Sequence, residues 1–242
     1  MSTEHDILFT GGSGLLGGEF RKLRPGILYP PSAEFNVTNL DQMRRYVAGR
    51  RIGLVIHAAA FTSPPQVDKD PARAIDANIV GTSNVVKLCM EMGARLIYIC
   101  TDYVFRGDKG LYTEDDPVYP VNKYAWSKLG GECAARMYDK SLIVRTTFGP
   151  NVFPYPKAFV DQWTSRQSVA VIARKILRLA ESDRTGVVHV GGPRRTVHEY
   201  AMSLDPTREI GRLSVNDVNF KVPVDTSLNC DRYRQWFPED TQ

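Results

Sequence analysis

The chain has 242 residues, 43% of them hydrophobic and 24% charged, which is enough for a sizeable core and excludes a peptide, a linker or a disordered segment. Its 31 basic and 27 acidic residues leave a formal charge of +4 without long runs of one sign, so no nucleic-acid partner is expected and an anionic small molecule is the better match. No apolar run reaches the ~20 residues of a membrane helix, and the acidic opening MSTEHD lacks the basic start of an export signal, so a cytoplasmic protein without membrane contact is expected.

In chain order the first apolar strand, DILFT, runs into TGGSGLLG and then into LLGGEFRKL, whose spacing is helical. Strand, glycine turn and helix form a dinucleotide-binding loop. Gly11 supplies a tight turn, Gly14 lets the backbone approach a pyrophosphate, and Gly17 lets helix and strand pack closely. The amides that open the helix, at Leu15 and Leu16, meet the anion. A second strand, GILY, ends in Leu28, Tyr29, Pro30 and Pro31 without the acid that would bind the ribose diol of NAD. Arg21, Lys22 and Arg24 lie nearby as candidates for a 2′-phosphate, or as solvated helix charges. The cofactor expected is NADP or NAD, with the balance towards NADP. Asn36 and Val37, in NVTN, either sit beside the adenine or belong to the N-cap of the helix LDQMRRYV.

The next strand, LVIHAAAF, ends in Ala58, Ala59 and Ala60, small enough for a ring to lie against the backbone, with Thr62 just beyond. His57 at its end reads as a packing residue beside the cofactor. A helix over 71–92 follows, and Asn78 within it is either a structural bridge or part of a proton path at the cofactor. The strand RLIYICT delivers Thr101 and Asp102 to the carboxyl edge of the sheet, where ligands bind in open α/β folds and Thr101 can polarise a carbonyl. A helix over 123–138 then places Tyr124 and Lys128 one turn apart on one face. A phenol of pKa ~10 works poorly at neutral pH, and a neighbouring ammonium lowers that value, which makes Tyr124 a usable proton donor.

The strands SLIVRTTF and VVHVGG and a helix over 168–181 complete the alternation. The fold expected is α/β, a doubly wound parallel sheet of the Rossmann type. Its dinucleotide-binding domain spans 1–149, and 150–242 form a small C-terminal substrate lobe that partly returns to the main sheet. The four cysteines read as reduced and mostly buried, and neither they nor His189 and His198 show metal-ligand spacing, so no metal site is expected. Trp126 and Trp163 belong to the core or to a stacking surface.

TGGSGLLG, HAAAFT, NIVGT, CTDYVFRG and YAWSKLGGE stand in the order and at the spacing of the extended short-chain dehydrogenase/reductases. Over residues 6–149 the chain resembles their dTDP-4-dehydrorhamnose reductase branch. The resemblance implies Thr101, Tyr124 and Lys128 as the catalytic trio, Asp102 as a secondary acid, and a dinucleotide among Gly11, Gly14, Gly17, Ala58, Ala59 and Ala60. The reaction implied is hydride transfer from NAD(P)H to the C4 carbonyl of a nucleotide-linked 4-keto-6-deoxysugar, in deoxysugar or polysaccharide biosynthesis. Phe148 and Trp163 are candidate substrate contacts. Tyr103, in place of the Glu of a related dehydratase, argues against dehydration. The partners expected are a nucleotide-sugar substrate and a second copy in a homodimer.

After RTTFGP the chain departs from that pattern. A helix and a strand are missing before DQWTSR, Phe148 stands in the place of a tryptophan, and Val222-Pro223 in that of an Arg-Pro. Two alternatives follow from the shortened lobe. One is a dinucleotide-binding regulatory subunit without turnover, similar to the β subunit of methionine adenosyltransferase; the other is a nucleotide-sugar epimerase with the same trio.

Overall fold

The computed structural model describes residues 6–218 and 222–241; the opening residues 1–5, read above as no export signal, lie outside them, as does Lys221 of KVPV. Five strands form one parallel sheet: β1 (Asp6–Thr10), β2 (Ile52–His57), β3 (Arg95–Thr101), β4 (Ser141–Thr146) and, beside β4, the strand Gly186–Val190. The helices are α1 (Leu15–Leu23), α2 (Leu40–Val47), α3 (Pro64–Lys69), α4 (Pro71–Ala74), α5 (Gly81–Met92), α6 (Lys123–Ala135), α7 (Val169–Ala180), α8 (Val197–Leu204) and α9 (Asp231–Trp236).

The strands read as unbroken apolar runs because both sheet faces are covered. Leu8, Leu96, Tyr98, Cys100 and Ile143 join a cluster with Met43, Val85 and Leu88. Their strand neighbours Phe9, Ile97, Ile99, Leu142 and Val144 join another with Leu16, Phe20, Ile172 and Ile176. Cys89, Cys100 and Cys230 are buried free thiols, and Cys133 is exposed.

The stretch GILY forms less of a strand than expected. Leu28 donates its amide to the Ile7 carbonyl (2.9 Å) and accepts from Phe9 N (2.8 Å) on the free edge of β1. Pro30 and Pro31 follow without amides to extend the ladder. The chain therefore leaves β1 on one side and crosses back to β2 on the other, the reversal at which open α/β sheets form a ligand crevice. The helix expected over 71–92 is interrupted by a π-turn, Ile75–Val80, between α4 and α5.

Beyond β4, apart from Gly186–Val190, the pairings are short. Phe148–Gly149 runs parallel to Gln167–Ser168, Trp163–Thr164 antiparallel to Arg195–Thr196, and Lys157–Phe159 parallel to Gly211–Leu213. A third apolar cluster, containing Phe153, Ala158, Val197, Tyr200 and Ile210, fills this region. Among the described residues no helix is long and apolar enough to cross a membrane.

Candidate active site

The carboxyl ends of β1 to β4 open into one cleft of about 940 Å³. From β1, β2 and the segments after them come Gly11, Gly14, Leu15, Leu16, Asn36, Val37, Ala58, Ala59, Ala60 and Thr62. From β3, β4 and α6 come Thr101, Asp102, Phe148, Tyr124 and Lys128.

Gly11 has φ +77°, and a Cβ there would lie 2.7 Å from the Ala59 amide. Gly14 donates its amide to the Gly11 carbonyl (2.9 Å) and caps α1 without a side-chain hydrogen bond. The first-turn amides of α1 are thus suited to accept an anion, as a pyrophosphate requires. Asn36 and Val37 line the cleft, while Asn39 is the N-cap of α2, accepting from Gln42 N at 3.0 Å. The N-cap reading of NVTN therefore holds for Asn39, and Asn36 and Val37 face the cleft.

Three candidates do not line the cleft. Gly17 acts through packing, since a Cβ there would approach Gly12 Cα to 2.5 Å. Asn78 is a buried bridge: it accepts from Phe61 N (2.8 Å) and donates to Phe61 O (3.0 Å) and Ser127 Oγ (2.8 Å). Trp163 lies in the short C-terminal pairings, its ring 3.8 Å beneath the guanidinium of Arg194, which is paired with Asp225. Trp126 is neither core nor cleft; it is exposed beside Tyr119.

Helix α6 starts where Asn122 Oδ1 accepts the Ala125 amide (2.8 Å), which sets Tyr124 in the first turn and Lys128 one turn on. Ser127 ties this turn to Asn78 by donating to the Tyr124 carbonyl at 2.7 Å. Gly131 lets α6 approach β3, because a Cβ there would fall 2.5 Å from the Tyr98 hydroxyl oxygen. That hydroxyl donates to the Lys128 carbonyl (2.9 Å), and Lys128 Nζ rests 4.4 Å from the Tyr98 ring centre.

Electrostatics at this end follow burial. Lys128 is pushed down to about 8 by burial, against the opposing effects of Cys100 and Glu132. The Tyr124 phenol is pushed above its ordinary value, by burial first, with Cys100 adding and Thr101 opposing. Burial sets the direction at the phenol, and the lowering expected from a neighbouring ammonium is not seen in it. Burial also pushes Asp102 up to about 6, although Thr226 Oγ1 (2.6 Å) and Thr101 Oγ1 (3.2 Å) donate to it.

His57 and His189 are structural. Thr82 gives its hydroxyl hydrogen to the Asn78 carbonyl (2.7 Å), so His57 Nε2 donates to Thr82 (3.0 Å) and Nδ1 accepts from Thr10 (2.7 Å). Burial and then Lys128 hold His57 down to about 3, and it stays neutral. His189 is buried within reach of the Tyr112 and Asn229 carbonyls, and is likewise pushed down to about 3 by burial.

Sequence reasoning missed Tyr29, Cys100, Thr146, Thr147 and Arg166, and placed Tyr103 only as a departure; all line the cleft. Of the three basic candidates for a 2′-phosphate, Lys22 pairs with Glu19 (2.7 Å) and Arg24 with Glu181 (3.3 Å). Arg21 lines the cleft, stacked 4.2 Å from the Tyr29 ring centre. The run of prolines after Tyr29 was the available signal; nothing in the spacing of DQWTSR marks Arg166.

The family model described as RmlD substrate binding domain matches residues 5–184. The dTDP-4-dehydrorhamnose reductase of Aggregatibacter actinomycetemcomitans is 30% identical over 197 residues, covering 77% of this chain and 62% of that protein. Methionine adenosyltransferase 2 subunit beta of Rattus norvegicus is 31% identical over 240 residues, covering 82% of this chain and 70% of that protein. A structure of dTDP-4-dehydrorhamnose reductase from Bacillus anthracis in complex with NADP matches with a TM-score of 0.87 at 25% identity, over 98% of this chain and 93% of that one. The chain spans 62%, 45% and 51% of the lengths of three curated reductases it matches.

Proposed function

The chain belongs to the RmlD substrate binding domain family, and from that premise we propose that it is an NAD(P)H-dependent reductase of the keto group of a nucleotide-linked 4-keto-6-deoxysugar. The observation that carries this reading is the meeting of Thr101, Tyr124 and Lys128 in the same cleft as the glycine loop. Gly11, Gly14, Leu15 and Leu16 would hold the pyrophosphate, Asn36 and Val37 the adenine, and Ala58, Ala59, Ala60 and Thr62 the wall along the dinucleotide. When bound, the cofactor supplies the hydride.

Tyr124 donates its phenolic proton to the carbonyl oxygen. Its raised pKa keeps that proton in place through the neutral range until an alkoxide develops beside it. Thr101, on turning its hydroxyl hydrogen from Asp102 to the substrate, would hydrogen-bond the same oxygen, and Lys128 would stabilise the phenolate left behind and hold the cofactor ribose. Asp102, pushed up to about 6, serves as a second proton store next to Thr101. Phe148 borders the sugar. Residues 1–149 are assigned to dinucleotide binding and 150–242 to a substrate lobe whose strand Gly186–Val190 returns to the sheet. The working unit proposed is a cytoplasmic homodimer.

The test follows NADPH absorbance with a panel of nucleotide-linked 4-keto sugars. Oxidation is expected, and Tyr124→Phe is expected to lower it by about 10²-fold or more with NADPH affinity nearly unchanged. A second reading, a dinucleotide-binding regulatory subunit, is favoured by the similarity to methionine adenosyltransferase 2 subunit beta. NADPH binding without oxidation on any sugar of the panel would select it.

A further inference from the structure

Resting on the reductase reading, we propose that Arg166 is the residue that holds the substrate's diphosphate at the reacting end of the cleft. The backbone of Arg166 is fixed on both sides. Its amide donates to Thr164 Oγ1 (3.0 Å), its carbonyl accepts from Arg195 Nη2 (3.2 Å), and the next amide, of Gln167, donates to the Thr147 carbonyl (3.3 Å). The guanidinium is treated differently. It lines the cleft, its Nε is shielded from solvent, and among the described residues no hydrogen-bond acceptor or carboxylate partner meets it.

A shielded polar hydrogen without an acceptor is destabilising, and a ligand bringing the acceptor removes that cost. A second group on the same wall points the same way. Thr146 is 3% exposed and lines the cleft, and its Oγ1 also lacks a partner. Both stand by the reacting groups: Thr146 pairs with Thr101 across β3 and β4, and the charge of Arg166 draws down the pKa values of Asp102 and Tyr103 against their burial. This is the opposite end of the cleft from the glycine loop after β1, which has its own anion site.

The planar fork of a guanidinium matches phosphate oxygens two at a time. A 4-keto-6-deoxysugar carries no charge, so the anion of a nucleotide-linked substrate that can answer this arginine is its diphosphate. Thr146 supplies a neutral hydrogen bond beside it.

The experiment is calorimetric titration of the NADPH-saturated protein with thymidine diphosphate and uridine diphosphate, the cofactor keeping both out of its own site. At least one is expected to bind. Arg166→Gln is expected to weaken that binding by about tenfold or more, and Arg166→Lys to give an intermediate loss, because it keeps the charge and loses the fork. NADPH affinity, unchanged in both variants, is the control for folding. Equal nucleoside diphosphate affinity in Arg166→Gln, a parallel loss of NADPH binding in that variant, or no binding of either diphosphate by the wild type would each overturn the proposal. Failure of the wild type to bind NADPH at all would instead overturn the reductase reading.

Discussion

Burial of Asp102 couples the stability of the protein to pH. Its carboxyl moves from 3.8 to about 6 on folding, so the folded state holds a proton that the unfolded chain releases earlier. The stabilisation from that proton is complete below about pH 4 and is lost as pH rises through about 6, a span worth roughly 3 kcal/mol. Asp102→Asn removes the titration. Measured by urea unfolding, the stability of the wild type relative to this variant should fall between pH 4 and pH 7; a difference independent of pH would show that the carboxyl titrates as it does in the unfolded chain. Arg21 acts at the other end of the cleft. As the cleft-lining member of three neighbouring cations, it is expected to confer NADP preference, so Arg21→Ala should weaken NADPH binding about tenfold and leave NADH binding unchanged. Lys22→Ala, which removes only a partner of Glu19, should change neither.

The first turn of α6 joins a local sequence signal to the reacting group. Asn122→Ala removes the cap and is expected to cost about 1 kcal/mol in thermal unfolding. Because Tyr124 lies within the turn that frays, the loss of turnover should exceed what the unfolded fraction explains. Elements of this kind were legible in the sequence: the glycine loop, the strand ends at Ala58 and Thr101, and the Tyr124–Lys128 spacing are encoded in consecutive residues with a fixed period. What escaped depends on contacts across long separations. The π-turn that sets Asn78 against Phe61 and Ser127 has no periodic signature. The direction in which Tyr124 titrates follows from how many atoms surround it, which a helical spacing does not report. Trp163 sits in a two-residue pairing whose partner Thr196 lies far along the chain, and Arg166 stands between that pairing and the next, and so one was misplaced and the other overlooked.

Across the whole molecule, Glu132 and Arg145 join α6 to the sheet beneath it. Arg145 donates to both Glu132 oxygens (2.7 and 3.1 Å), and both side chains are buried. Glu132→Ala strands the guanidinium without its counter-charge and is expected to cost about 3–5 kcal/mol, read as a lower urea midpoint. The strand Gly186–Val190 has a consequence of a more practical kind. It lies beside β4, pairing Leu142 to Thr146 with Gly186 to Val190, and begins two residues beyond the end of the family match at 184. A gene fragment trimmed to that match would leave β4 as an uncovered border of the sheet, with its row of amides and carbonyls free to template another chain. A unit ending before Val190 is therefore expected in inclusion bodies, and because Leu228, Cys230 and Tyr233 are buried in the two clusters that cover the sheet, the unit worth expressing runs on through α9.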